Sequence, residues 1–256
     1  AVVTSHCIVS KPRVDLVKCD CNCLLSVIIQ SKFANAKLVV LQFIANCALF
    51  VPIFKEADCG DVKEFLDNFD FSKFSSNIKI VENLTGKIFQ NQMNYAVSQV
   101  TTEYFSFLEF DDEYSNIWFK NATKYMDIYK DVDAFLPIVV DVDEKLVFAG
   151  FTNEATFAAN MTSEIGILTN ETLLSYQNFQ TSGMVIKKES IENFGGFKPS
   201  QKLTFVYEFL LRITYNSAKL MTIPKIGYKH MNMRESSIFW NYKFGDKKLK
   251  DIGLLK

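Results

Sequence analysis

Short apolar runs and stretches of helical period alternate through the first 112 residues of the chain. "AVVTSHCIV" (1–9) is a β-branched run that stops at the loop signal "SKP". Across 13–30, Val14, Leu16, Val17, Leu24, Leu25 and Ile28 have the spacing of a helix packed on a sheet. "KLVVLQF" (37–43) predicts a second buried strand, "IKIVEN" (78–83) a third and "EYFSFLEF" (103–110) a fourth. Between the last two, "TGKIFQNQMNYAVSQV" places Ile88, Met93, Ala96 and Val97 on one helical face. This β-α-β-α-β order predicts an α/β fold with a mostly parallel central sheet flanked by helices.

The second half has a looser pattern. "FLPIVVDVDEKLVFAGF" predicts two strands around the turn "DVDEK". "GMVIKKESIENFGGF" predicts a strand and then a helix from about Glu189, closed by Gly195 and Gly196. "FVYEFLLRITYNSAK" is a strongly apolar helix, and "LMTIPKIGYKHMN" a final strand interrupted by Pro224. No repeat, low-complexity tract or linker divides the chain, so a single domain over 1–256 is expected.

One of these strands ends in an unusual way. "YFSFLEFDDEY" carries four carboxylates, Glu109, Asp111, Asp112 and Glu113, directly after an aromatic run. Like charges this close repel one another and need either solvent or a bound cation. In parallel α/β sheets the working residues collect at the carboxyl ends of strands, where this cluster falls. That position favours the cation.

Composition narrows the function classes. With 48% hydrophobic and 22% charged residues the chain is an ordinary globular protein, and a net charge of −1 gives no broad footprint for nucleic acid. No stretch has the length of a membrane span, and no basic segment precedes an apolar one at the start, so a cytoplasmic location is expected. All six cysteines fall between Cys7 and Cys59. "CDCNC" lacks the second cysteine pair of a structural zinc site, which leaves buried reduced thiols as the expectation. Four N-x-S/T sequons, at Asn83, Asn121, Asn160 and Asn170, are read as coincidental.

Several motifs in order resemble the GT-A-fold, Rossmann-like glycosyltransferases of the family 2 type, which use nucleotide-sugar donors. "FSFLEFDD" stands where that family has its DXD-type motif, preceded by "QNQMNYAV" and followed by "SGMVIKKESIENFGGFKP", "YEFLLRITYNSAKLMTIP" and "GYKH". The resemblance spans nearly the whole chain. It implies a nucleotide-sugar-binding half over 1–112 and an acceptor-binding half over 113–256. It implies a transferase moving a sugar from a UDP-sugar, or less readily a GDP-sugar, to a hydroxyl of a glycan or protein, with Mn²⁺ or Mg²⁺ offsetting the diphosphate. By the same resemblance Asp112, Glu109 and His230 are the metal candidates, and Asp111 contacts ribose or metal. The remaining donor-binding candidates are Thr4, Ser5, Gln42, Asp58, Asn94, Gly183 and Arg234.

The chain departs from the family pattern at the catalytic base. Inverting members place an Asp six residues before the Arg of the helix, and here that position is Val206. Glu208 is the candidate base after a local shift, with an i, i+4 ion pair to Arg212 as its plainer role; Glu154 and Asp143 are other acids. Two further readings stay open. One is a catalytically degenerate binding module, favoured by Val206. The other is a nucleotidyltransferase, disfavoured because no Gly-rich basic phosphate loop lies near the N-terminus. If Asp112 holds the cation, Asp112→Ala abolishes metal-dependent donor binding and leaves the fold largely intact. A variant that binds donor and Mn²⁺ normally, in a calorimetric titration, removes Asp112 from the site.

Overall fold

In the computed structural model, the described residues are 25–30, 38–44, 77–82, 88–109 and 112–232, the first three segments as backbone alone. Among the described residues ten strands form one sheet: β1 Leu25–Gln30, β2 Leu38–Ile44, β3 Asn77–Glu82, β4 Tyr104–Glu109, β5 Glu113–Tyr114, β6 Ala134–Val142, β7 Phe148–Thr152, β8 Ile167–Leu168, β9 Val185–Lys187 and β10 Leu220–Met231. The helices are α1 Phe89–Ser98, α2 Trp118–Ile128, α3 Asn170–Ser175, α4 Lys188–Phe194 and α5 Phe205–Tyr215. The expected second, third and fourth strands are β2, β3 and β4, and the expected helices of the second half are α4 and α5.

Two expectations are corrected. Leu25–Gln30 belongs to a strand, not to the helix predicted over 13–30. Three consecutive β-branched residues, Val27, Ile28 and Ile29, disfavour a helix, and the segment gains antiparallel neighbours in both β2 and β3. Nor is the sheet mostly parallel: only β2·β4 and β6·β10 pair parallel among the described residues. The order β3-β1-β2-β4-β9-β6-β10-β5 interleaves reversed strands with the others. β9 lies antiparallel between β4 and β6, and β1 lies antiparallel between β3 and β2. It follows that β2, β3, β4, β6 and β10 still point the same way, and their carboxyl ends share one edge of the sheet.

Both faces are covered, which accounts for the near-continuous burial of β4 and β6. On one face Met93, Ala96 and Val97 of α1 and Phe209, Leu210 and Ile213 of α5 pack with Phe105, Phe107 and Leu136. On the other, Trp118, Ala122 and Met126 of α2 pack with Phe135, Val185 and Ile223. Phe197 is the hub of the first layer, with ring centroids 4.6 Å from Phe209 and 5.7 Å from Phe107. Burying a ring of this size contributes roughly 2–3 kcal/mol.

β10 does not run straight. Seven residues from Thr222 to Tyr228 are set against four from Leu136 to Val139, a bulge that contains the exposed Pro224. Proline has no N–H for the ladder, so a bulge is where a strand tolerates it. Beyond the bulge Tyr228, Lys229, His230 and Met231 pair one to one with Val139, Val140, Asp141 and Val142. Tyr228 is 1% exposed and its ring lies against Gly183, whose φ is +73°. A Cβ on Gly183 would stand 2.6 Å from that ring. Gly183→Ala is therefore expected to lower stability by about 2–4 kcal/mol, from left-handed backbone strain and overpacking together. A urea midpoint within error of the parent protein would show that Tyr228 does not pack there.

Candidate functional site

The shared carboxyl edge of the sheet brings together residues that lie far apart in sequence. Glu109 ends β4, Asp141 lies one residue before the end of β6 and His230 one residue before the end of β10. Asp112 follows Glu109 in a turn closed by its own N–H to the Glu109 carbonyl at 3.2 Å. Two contacts fasten this turn to β10. The backbone N–H of Met231 donates to Oδ1 of Asp112 at 2.8 Å, and the N–H of Glu109 donates to the Tyr228 hydroxyl at 3.1 Å. The chain then reverses into β5, where Glu113 pairs with Lys229 across the ladder.

Two of the four clustered carboxylates are thus engaged by one strand, Asp112 by a backbone donor and Glu113 by a cation. Lys229 is the partner of Glu113. Of the tyrosines beneath, Tyr228 is buried and Tyr114 half-buried. The Tyr114 hydroxyl reaches Ser106 Oγ at 2.7 Å and donates to the Phe107 carbonyl at 2.6 Å, and its ring meets Tyr228 edge-on at 5.2 Å. Burial, with the charges of Asp112 and Glu109, pushes the Tyr228 hydroxyl well above its ordinary pKa, so it stays neutral.

His230 has a partner that sequence reasoning did not foresee. Its Nδ1 lies 2.8 Å from Oδ1 of Asp141, and Oδ2 of Asp141 accepts the Thr152 hydroxyl at 2.6 Å. The only signal in the sequence was a lone charge inside the apolar run "FLPIVVDV". Burial by itself would push the imidazole pKa down. The hydrogen bond to Asp141, with the charges of Asp112, Glu109 and Asp141, outweighs burial and holds His230 up at about 9. The ring is a cation at neutral pH.

Other sequence candidates have different surroundings. Asn94 donates from its side-chain amide to the Phe197 carbonyl at 2.7 Å and accepts the Phe197 N–H at 2.9 Å. Its amide thereby clamps the "GGF" loop, and a Cβ on Gly196 would collide with Asn94 Oδ1. This explains on packing grounds why the helix bearing Asn94 and the "GGF" motif go together. Gly183 makes room for Tyr228, and its carbonyl accepts the Trp118 indole N–H at 3.0 Å. Gln42 is placed by its backbone in β2, opposite Leu108 of β4. Thr4, Ser5, Asp58, Asp111 and Arg234, and all six cysteines, lie outside the described residues.

Glu208 forms the i, i+4 ion pair with Arg212. Its carboxylate accepts Arg212 Nε at 2.8 Å and lies 2.7 Å from Lys198 Nζ. Burial opposes ionisation there, but the two cations win and hold its pKa below the usual carboxylate range. A carboxylate so stabilised is a weak proton acceptor near neutral pH. Arg212 meanwhile binds the carbonyls of Phe194, Gly195 and Gly196 at the end of α4. Glu208 lines an open depression of about 510 Å³ beside α3 and α5, and none of Glu109, Asp112, Asp141 or His230 lines it. Glu154 has one buried carboxylate oxygen with no hydrogen-bond partner among the described residues. Asp143 instead caps its own turn, accepting the N–H groups of Lys145 and Val147.

A divalent cation is the group that the acidic motif implies. Among the described residues no three His, Cys, Asp or Glu side chains stand close enough to hold one. The described residues therefore do not by themselves fit a metal. No helix among them is long and apolar enough to cross a membrane.

No family model matches the chain, and no curated protein matches it. Among solved structures it is similar to the crystal structure of S. aureus TarS 1-349, with a TM-score of 0.41 and 17% identity over 56% of this chain and 40% of that one. The same TarS region in complex with UDP-GlcNAc gives a TM-score of 0.41 and 16% identity, over 55% of this chain and 38% of that one. Its complex with UDP gives 0.40 and 16%, over 54% and 38%. The chain thus matches two fifths or less of the length of these proteins. Likeness at this level carries no inference about chemistry.

The elevated pKa of His230 has a measurable consequence. An unfolded histidine titrates near 6.5, so the stabilisation is fully present below that pH and is lost as pH rises through about 9. The stability advantage of the parent protein over His230→Gln should shrink by up to about 3 kcal/mol between about pH 5.5 and pH 10 in urea unfolding. A pH-independent difference would show that His230 does not carry this charge.

Proposed function

We propose that the chain is a nucleotide-sugar-dependent glycosyltransferase that moves a sugar from a UDP-sugar, or alternatively a GDP-sugar, to a hydroxyl of a glycan or protein. One observation carries this reading. The Asp112 carboxylate of the acidic motif is fastened to the backbone of Met231, next to His230, across 119 residues of sequence. An imidazolium and a carboxylate turn thus meet at the carboxyl edge of an α/β sheet, where such sheets take nucleotides.

In this reading the charge that develops on the departing diphosphate is met by the His230 cation, already fixed in place before the donor arrives. Asp112 and Asp111 contact the donor ribose or a cation carried with it. Glu109 keeps the edge acidic, and its backbone is held by Tyr228. The enzyme needs no nucleophile of its own, because aligning donor and acceptor and stabilising the leaving charge are sufficient. The donor-binding roles of Thr4, Ser5, Gln42, Asp58, Asn94, Gly183 and Arg234 belong to the same proposal. The division into a donor half over 1–112 and an acceptor half over 113–256 does too.

A second reading is favoured by a separate observation. Glu208 is held ionised by Arg212 and Lys198, and Val206 occupies the position of the family's base. These support a module that binds the donor without transferring sugar.

Thermal unfolding against a panel of UDP- and GDP-sugars, each with Mn²⁺ and with chelator, tests both readings. A ligand that binds only the folded chain raises the midpoint, by the equivalent of about 2.7 kcal/mol at a hundredfold excess over Kd. A shift for one donor, with release of its nucleoside diphosphate when acceptor glycans are added, supports the transferase. A shift without release supports the binding module. The difference between the Mn²⁺ and chelator arms decides the metal requirement. No shift for any donor, in a protein that melts cooperatively, removes both.

A further inference from the structure

The site contains a second buried charge whose presence stability does not explain. Asp141 is 6% exposed, and its side chain sits across the parallel ladder from His230. Its neighbours in β6, Val139 and Val142, are buried and apolar. A buried ion pair in such a setting is close to neutral for stability against well-packed apolar residues of the same volume. The pair nevertheless stands at the carboxyl edge of the sheet, one residue from the Met231 amide that binds Asp112. Both oxygens of Asp141 are committed, Oδ1 to His230 and Oδ2 to Thr152 of β7, so the carboxylate is held from two sides. β7 in turn is paired to β6 at Val139↔Thr152, and the Asn232 N–H donates to the Val142 carbonyl at 2.8 Å. The frame around this carboxylate is therefore backbone ladder on both sides.

We propose that Asp141 is a positioning residue. It engages Nδ1 of His230 and so leaves Nε2 as the ring nitrogen presented to the diphosphate of the donor, with Thr152 fixing the carboxylate that does this. A carboxylate behind a histidine sets the ring's orientation and decides which nitrogen meets the ligand. The inference rests on the nucleotide-binding reading of the site. It adds a residue that neither the acidic motif nor the "GYKH" motif contains.

Three variants of the full chain test it: Thr152→Val, which removes one hydroxyl while keeping the side chain's shape, Asp141→Asn and Asp141→Ala. The probe is UDP, titrated with and without Mn²⁺. The second readout is the Nδ1–H resonance of His230, which is simple to assign because the chain has two histidines. A downfield, slowly exchanging Nδ1–H is expected in the parent protein, weakened in Thr152→Val and absent in Asp141→Ala. UDP affinity should fall in the order parent, Asp141→Asn, Asp141→Ala, with the last about tenfold weaker, because the Asn carbonyl still accepts from Nδ1. Loss of the resonance with unchanged UDP affinity would overturn the proposal and leave the pair as a tie between β6 and β10. Survival of the resonance in Asp141→Ala would overturn it as well. Should Asp141→Ala fail to fold, Thr152→Val decides: a weakened resonance with weaker UDP binding supports the proposal, and an unchanged pair of readouts overturns it. A parent protein that binds no UDP under either condition refutes the nucleotide reading itself. Binding by the parent that Asp141→Ala matches refutes only the role of Asp141.

Discussion

The hydroxyl of Tyr228 accepts the backbone N–H of Glu109, and the meeting of two chain segments 119 residues apart depends on that contact. β4 and β10 are not ladder neighbours, because β9 and β6 stand between them. What joins their ends is a buried ring with room to lie flat because residue 183 has no side chain. The Asp112–Met231 bond repeats the connection a few residues further on. Tyr114 supports the same ring from its edge and ties itself back to β4 through Ser106 and Phe107. This stack, the Asp112–Met231 bond and the β5·β10 ladder together fix the separation of the acidic turn and His230.

Charge at this edge is managed locally. Glu113 is offset by Lys229, Asp141 by His230 and Thr152, and Asp112 by a backbone donor. These partners come from β10, with Thr152 of β7 as the exception. A strand that reads as a plain apolar run in its first half thus becomes, in its last four residues, the scaffold of the polar edge. The alternative acid, Glu208, belongs to a different economy of charge, in which Arg212 spans Glu208 and the carbonyls at the end of α4.

The legible parts of the sequence were those that local periodicity controls. The turn between β6 and β7, the helix closed by Gly195 at φ +81°, and the apolar α5 all followed from spacing and cap chemistry, although the turn sits at 143–147 and the first two residues of "DVDEK" belong to β6. The segment Leu25–Gln30 was misread because leucines and isoleucines three or four apart fit a helix as well as a strand, and only its neighbours decide. β9 is three residues long, too short for any period to reveal that it would lie reversed between β4 and β6. The gathering of acidic turn and His230 at one edge was legible in outline through the motif order. Asp141 and Tyr228 were not. Their importance comes from a strand pairing that no local signal encodes, and the clamp of Asn94 on Phe197 is likewise a long-range contact.

The bulge in β10 governs how this protein tolerates changes in length. Because β10 carries three extra residues there, the alternation of its side chains reverses relative to β6 before Tyr228 is reached. Deleting or inserting one residue between 223 and 227 would exchange the faces of everything downstream, turning Tyr228 and His230 away from Gly183 and Asp141 together. The turn at 143–147 is exposed and closed by Asp143 alone, and it can lengthen without disturbing any of these pairings. Natural or laboratory length variation in this protein is therefore expected to accumulate at the hairpin tip and to be purged from the five residues before the tyrosine.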